Sequence, residues 1–172
     1  GLMTQGQLIE ARDEASDGSL EELNRVLLRK QFLTSWQVDR LLKGKTEGFF
    51  FGGVKVLFHI AEGTFARVYR GRRQPGNQSV AIKVLRQRFT ADPASIQRFN
   101  QEAESGMRLA HPNIVRIYDH GEEDRLYYMV MEFVSGQTLV EWIRARRPLA
   151  QPELVSLVTP LLDGLGVIHK GG

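Results

Sequence analysis

Residues 54–85, VKVLFHIAEGTFARVYRGRRQPGNQSVAIKVL, decide the fold. Val54, Val56, Phe58 and Ile60 alternate with Lys55, Leu57 and His59, the period of two that marks a strand. A short segment, Ala61 to Phe65, carries one glycine, and residues 66–72 then resume an extended pattern. Pro75-Gly76-Asn77 is a turn by its chemistry, because proline fixes φ while glycine and asparagine accept left-handed backbone. Residues 79–85 form a third strand rich in β-branched residues, interrupted by a single cation, Lys83.

Downstream, Asp92 is an N-cap with Pro93 in the first turn, and Ile96, Phe99, Ala103 and Met107 form the buried stripe of a helix. Two further strands follow at 114–120 and 125–134, joined through Gly121 to Asp124. The pattern predicts an α+β protein built on a five-stranded, mainly antiparallel sheet with one helix. After Gly136, a capping box (Thr138/Glu141) opens another helix. The segment Pro152 to Lys170 is apolar nearly all round, as expected of a helix in the middle of a larger domain.

Upstream, residues 47–53 are a glycine-flanked connector whose phenylalanines tether what precedes them to the sheet. Residues 1–46 read as three short helices opened by Thr4/Gln7, Ser19/Glu22 and Thr34/Gln37. Met3 with Leu8, and Leu33 with Val38, have the spacing of hydrophobic staples. Leu20, Leu23, Leu27 and Leu28 of the second helix and Val38, Leu41 and Leu42 of the third are expected to bury one small core, joined by Trp36. So small a core implies docking, on the neighbouring sheet or on a second copy. Gly44-Lys45-Thr46 mimics the tail of a phosphate-binding P-loop, but the glycine needed five residues earlier is Asp39 and the lead-in is helical. Gly44 reads instead as a helix stop.

The 172 residues contain 23 Lys plus Arg against 20 Asp plus Glu, a formal charge of +3 that argues against a dedicated nucleic-acid surface. Cysteine is absent, which removes disulfide frameworks and thiolate metal sites and fits a reducing, cytoplasmic setting. No apolar run approaches the ~20 residues that span a bilayer.

The ordered series of strand, glycine-containing turn, strand, Val80-Ala81-Ile82-Lys83 and helix resembles the ATP-binding N-lobe of bacterial, eukaryotic-like Ser/Thr protein kinases. Ile60-Ala61-Glu62-Gly63-Thr64-Phe65-Ala66-Arg67-Val68 is similar to the family's glycine-rich loop, which covers the nucleotide phosphates. Two of the family's glycines are alanine here, Ala61 and Ala66, which implies a stiffer loop. By the same resemblance Lys83 contacts the α and β phosphates, Ala81 packs on adenine, and Glu102, nineteen residues on, pairs with Lys83. His111-Pro112-Asn113 resembles the structural loop into the next strand. Met131 takes the gatekeeper position, and the backbone at Glu132 and Val134 meets adenine.

The resemblance covers residues 54–172, as an N-lobe (54–134) followed by a hinge and the first C-lobe helices (135–172). It ends ahead of any His-Arg-Asp or Asp-Phe-Gly motif. It therefore implies the front part of a longer phosphotransferase using ATP and Mg²⁺ on a protein substrate, with the metal ligands expected after residue 172 and this segment inactive alone. Ala61, Ala66 and Gly106 motivate an alternative expectation, a kinase-like interaction module without catalysis.

Overall fold

The computed structural model describes residues 1–15 and 17–171. Three helices, α1 (Gln5–Glu14), α2 (Leu20–Arg29) and α3 (Ser35–Leu42), lead into strands β1 (Phe50–Phe51), β2 (Val54–Glu62), β3 (Ala66–Arg73) and β4 (Gln78–Leu85). Helix α4 (Pro93–Met107), strands β5 (Ile117–Glu123) and β6 (Leu126–Glu132), and helices α5 (Leu139–Arg146) and α6 (Gln151–Gly171) complete the chain. The sheet is antiparallel in the order β1-β2-β3-β4-β6-β5. It has six strands where five were expected, because Phe50 and Phe51 of the connector pair with Lys55 and Val54.

The alternation along β4 divides the core between two faces. Val80, Ile82 and Val84 point to an outer face that they share with Phe51, Val54, Val56, Tyr128 and Val130. Leu85 points inward and packs with Phe99, Ala103 and Met129 beneath α4. Burying a side chain of this size contributes about 1.5–3 kcal/mol. Asp92 accepts from the Ala94 and Ser95 amides at 3.3 and 3.2 Å, which fixes the start of α4. Met107 is exposed, so the buried stripe ends at Ala103.

The N-terminal helices depart from expectation in which residues they bury. Ala11, Val26, Leu27, Leu33 and Val38 form their core. Leu20, Leu28, Leu41 and Leu42 are exposed, and so is Leu8 of the first staple. Trp36 leaves that core for the outer face of the sheet, meeting Phe49 and Tyr69 edge-on at 6.0 and 5.5 Å. Thr4/Gln7 and Thr34/Gln37 are complete capping boxes, whereas Glu22 turns away from Ser19 to pair with Arg25.

The box at Thr34 also joins α3 to β2. Gln37 is fully buried, accepts from the Thr34 amide at 2.9 Å and donates through Nε2 to the Val56 carbonyl at 2.6 Å. The Thr34 hydroxyl donates to the Leu57 carbonyl at 2.6 Å. Both polar ends of a buried amide are thus paired, as burial requires. Gly44 closes α3 in a Schellman arrangement: φ is +68°, its amide reaches Leu41 O at 2.9 Å, and the Lys45 amide reaches Arg40 O at 3.0 Å.

The turn between β5 and β6 lies later than the sequence suggested. Gly121 is inside β5, opposite Tyr128, and a Cβ there would stand 2.9 Å from the tyrosine hydroxyl. The reversal is made by Asp124 and Arg125, at φ 52° and 60°. Helix α6 contains Pro160, and Leu154, Val155, Leu161, Leu162 and Leu165 on it are exposed.

Candidate nucleotide site

The inner face gathers residues from four elements. In the antiparallel register Val68 lies opposite Lys83, and Ala61 opposite Val68. Ala81 pairs with Met131, and Lys83 with Met129. Directly opposed residues share a face, so Ala61, Val68, Ala81, Lys83 and Met131 look the same way.

Lys83 Nζ stands 2.6 Å from Glu102 Oε1 and 5.9 Å from the centre of the Phe99 ring. The pairing follows from element placement: β4 fixes the lysine, and α4, held by Phe99 and Ala103, presents the glutamate one helical turn after Phe99. The pair is partly open to solvent, with the Lys83 side chain 26 % and Glu102 55 % exposed. It borders a cavity of about 170 Å³ whose walls include Phe65, Ala66, Leu85, Ser95 and Arg98.

Ile60, Ala61, Glu62, Gly63, Thr64 and Phe65 are exposed, forming the end of β2 and the reversal into β3. A bulge falls between His59 and Ala61. Ala61 and Ala66 have ordinary negative φ in extended strand, so their methyl groups strain nothing. Gly63 donates to the Ala66 carbonyl at 2.9 Å, closing the reversal. Phe65 stacks on Phe89 with centroids 4.9 Å apart.

Glu132 and Val134 are exposed at and just after the end of β6, outside that cavity. The Glu132 amide donates to the Arg116 carbonyl at 2.8 Å. His111 Nδ1 accepts from the Asn113 amide at 3.2 Å and its Nε2 lies 3.3 Å from Asp163, tying this loop to α6. Gly106 faces Ile117, whose Cδ1 would be 2.4 Å from an added Cβ. A side chain absent from α4 is therefore replaced by one from β5.

Sequence reasoning missed two arginines. Arg86 donates to the Gly63 carbonyl at 3.3 Å and pairs with Glu62, and Arg88 donates to the Thr64 carbonyl at 2.8 Å. Both follow β4 immediately and hold the backbone of the β2–β3 reversal. Arg67 also bonds Glu62, at 3.1 Å, and its hydrogen bond together with the Arg86 charge holds the Glu62 carboxyl below the usual carboxylate range. Their spacing from Lys83 was the available signal, but charges after a strand read as ordinary solvated residues.

Residues 54–172 match the protein kinase domain family. The chain is 41 % identical over 119 residues to the probable serine/threonine-protein kinase PknB of Lactococcus lactis, covering 69 % of this chain and 19 % of that protein. It is equally identical over 119 residues to serine/threonine-protein kinase PrkC of Bacillus subtilis, covering 69 % and 18 %. The Mycobacterium tuberculosis PknI kinase domain superimposes with a TM-score of 0.63 at 28 % identity, over 74 % of this chain and 52 % of that one. The chain thus spans about a fifth of these curated relatives and half of that solved domain. With the sheet, the α4 helix and the Lys83–Glu102 pair in this arrangement, the chain belongs to the protein kinase family, of whose domain it is a part.

Proposed function

We propose that this segment is the ATP-binding part of a Ser/Thr protein kinase that transfers the γ-phosphate of ATP to protein hydroxyls. The observation that carries the reading is the 2.6 Å Lys83–Glu102 contact beside a cavity roofed by Phe65 and Ala66. An ammonium held by one carboxylate keeps two donor directions for phosphate oxygens, and Glu102 fixes where it points. Ala81, Val68 and Met131 offer an apolar surface on the same face for a purine ring, with the backbone at Glu132 and Val134 next to it. In this reading Arg86 and Arg88 position the loop over the phosphates through its carbonyls.

Among the described residues no three His, Cys, Asp or Glu side chains cluster as a metal site. The ligands of the Mg²⁺ that accompanies ATP belong, in this proposal, to the part of the domain after residue 172. Mg²⁺ there would neutralise phosphate charge. We also assign residues 1–46 a docking role on the sheet, supported by Gln37 and Trp36, and a cytoplasmic setting, supported by the absence of cysteine. Among the described residues no helix is long and apolar enough to cross a membrane.

Titration of this chain with ATP tests the reading. Lys83→Met should weaken binding about tenfold or more, the loss expected for a charge-assisted contact. Equal affinity for both proteins would remove Lys83 from the site.

A further inference from the structure

A cavity of about 340 Å³ opens on the outer face of the sheet, where the N-terminal helices meet it. Arg40 and Lys45 line it from α3 and its C-terminal turn, and Arg67 and Arg86 line it from β3 and the end of β4. Glu47 is the one acidic residue of that lining, and Arg40 uses only its backbone, donating to the Glu47 carbonyl at 2.6 Å.

The Arg40 guanidinium carbon lies over the Trp36 ring, 5.0 Å from its centre, and 5.4 Å from that of Phe49, and its Nε is enclosed without a hydrogen-bond partner. Gly48, at φ +76°, leaves room for it: an added Cβ would lie 3.0 Å from Nη2. Arg67 and Arg86 share a single carboxylate, Glu62. Four cations therefore converge on one concavity and the acids beside it leave them an excess of positive charge.

We infer that this cavity is a binding site for a phosphate monoester, separate from the nucleotide site and on the opposite face of the sheet. A dianion with three acceptor oxygens engages several guanidinium groups together, which a single carboxylate cannot match. It would compete with Glu62 for Arg67 and Arg86. Because Arg86 also holds the Gly63 carbonyl, occupancy would loosen the β2–β3 reversal, and coupling between the two sites would be reciprocal. The phosphate has two possible sources with the same chemistry: a diffusible ligand, or a phosphorylated Thr46, whose exposed side chain lies in the cavity wall.

Trp36 is a built-in reporter. In a Trp142→Phe background it is the sole tryptophan, since the chain has two. Titration with O-phospho-L-threonine at low ionic strength should change its emission saturably. Lys45→Ala and Arg67→Ala should each weaken binding about tenfold, with circular dichroism and melting confirming that both remain folded. The inference is overturned by the absence of a saturable change up to about 10 mM, where a millimolar site would be nearly full. It is overturned equally by L-glutamate giving the same curve at matched ionic strength, or by both variants binding as the parent does. A chain carrying phosphothreonine at position 46 separates the sources. Emission already at its bound value and no response to added ligand identify Thr46, while an unchanged titration identifies a diffusible phosphate monoester. None of these readouts depends on ATP, so the nucleotide reading stands or falls separately.

Discussion

The Lys83–Glu102 pair stands in a solvent-open cavity, so its effect on stability and its effect on function separate. Exposed pairs contribute about 0–1 kcal/mol. Lys83→Met and Glu102→Gln should therefore shift the melting temperature of this chain little. In the phosphotransferase proposed above each should remove most phosphotransfer, and the double variant should be little worse than either, because each residue acts through the other. Turnover by Glu102→Gln near the parent level would place the functional glutamate elsewhere on α4.

Gly106 gives a sharper residue-scale test. Alanine favours a helix over glycine by about 1 kcal/mol, yet the methyl group would meet Ile117 Cδ1 at 2.4 Å and Cγ1 at 3.1 Å. Gly106→Ala should therefore lower stability, and Ile117→Val, which removes that Cδ1, should restore or reverse the effect. Urea denaturation of the four proteins measures the coupling. Stabilisation by Gly106→Ala alone would mean that Ile117 swings aside at no cost.

At the scale of the element, the strands and α4 were legible because period two and the Asp92-Pro93 cap are local signals. Their meeting points were not. Gly121 has turn chemistry but serves a cross-strand approach to Tyr128, which no local reading reveals. The Asp124-Arg125 turn was displaced for the same reason, since arginine is a poor candidate for left-handed backbone. Arg125→Gly should accordingly stabilise the chain by about 1 kcal/mol, read as a higher urea midpoint. Within the site, Lys83 and Glu102 were legible through the resemblance to the kinase family, whereas Arg86 and Arg88 depend on where the β2–β3 reversal folds back. Trp36 was assigned to the helices' own core, and Gln37 only to its capping box, because a helical stripe cannot say which neighbour it faces.

The cap of α4 also has a pH dependence. The Asp92 carboxyl is held below its ordinary value of 3.8 by the hydrogen bond from the Ser95 side chain, with the Ala94 and Ser95 amides adding to it. A carboxyl whose folded pKa is depressed stabilises fully above its unfolded pKa and loses that contribution as pH falls through the folded value. The stabilisation should therefore fade below about pH 3.8. Asp92→Asn should flatten that part of an acid titration followed by helical circular dichroism, and an unchanged acid limb would remove Asp92 from the account.

For the whole molecule, the outer face is completed by chain from outside the matched kinase region. Phe51 and Trp36 pack with the cluster that holds Val54, Val56 and Val80, Phe49 is buried against Trp36, and Gln37 pairs with the β2 backbone. Deleting residues 1–46 should lower the stability of the remainder by several kcal/mol, since a buried amide partner and a large aromatic are lost together. Sedimentation should then show self-association through the uncovered face. An unchanged melting temperature and an unchanged oligomeric state would end the docking proposal. The exposed leucines of α6 belong to the same scale: only half of the PknI kinase domain has a counterpart here, and an apolar helix of this kind is suited to burial by further domain.

The Gly52 amide, just after β1, donates to Glu123 of β5 at 2.8 Å, and Phe51 packs on Tyr128 at 5.7 Å. These strands stand at opposite ends of the sheet order, so the sheet curls until its two margins touch. Open margins are where foreign strands add and fibrils begin, and proteins commonly guard them with short strands and inward-turned charges. A two-residue margin latched by a glutamate provides both. Glu123→Lys should unlatch it, and the same chain agitated at raised concentration should then form thioflavin-positive fibrils after a shorter lag than the parent.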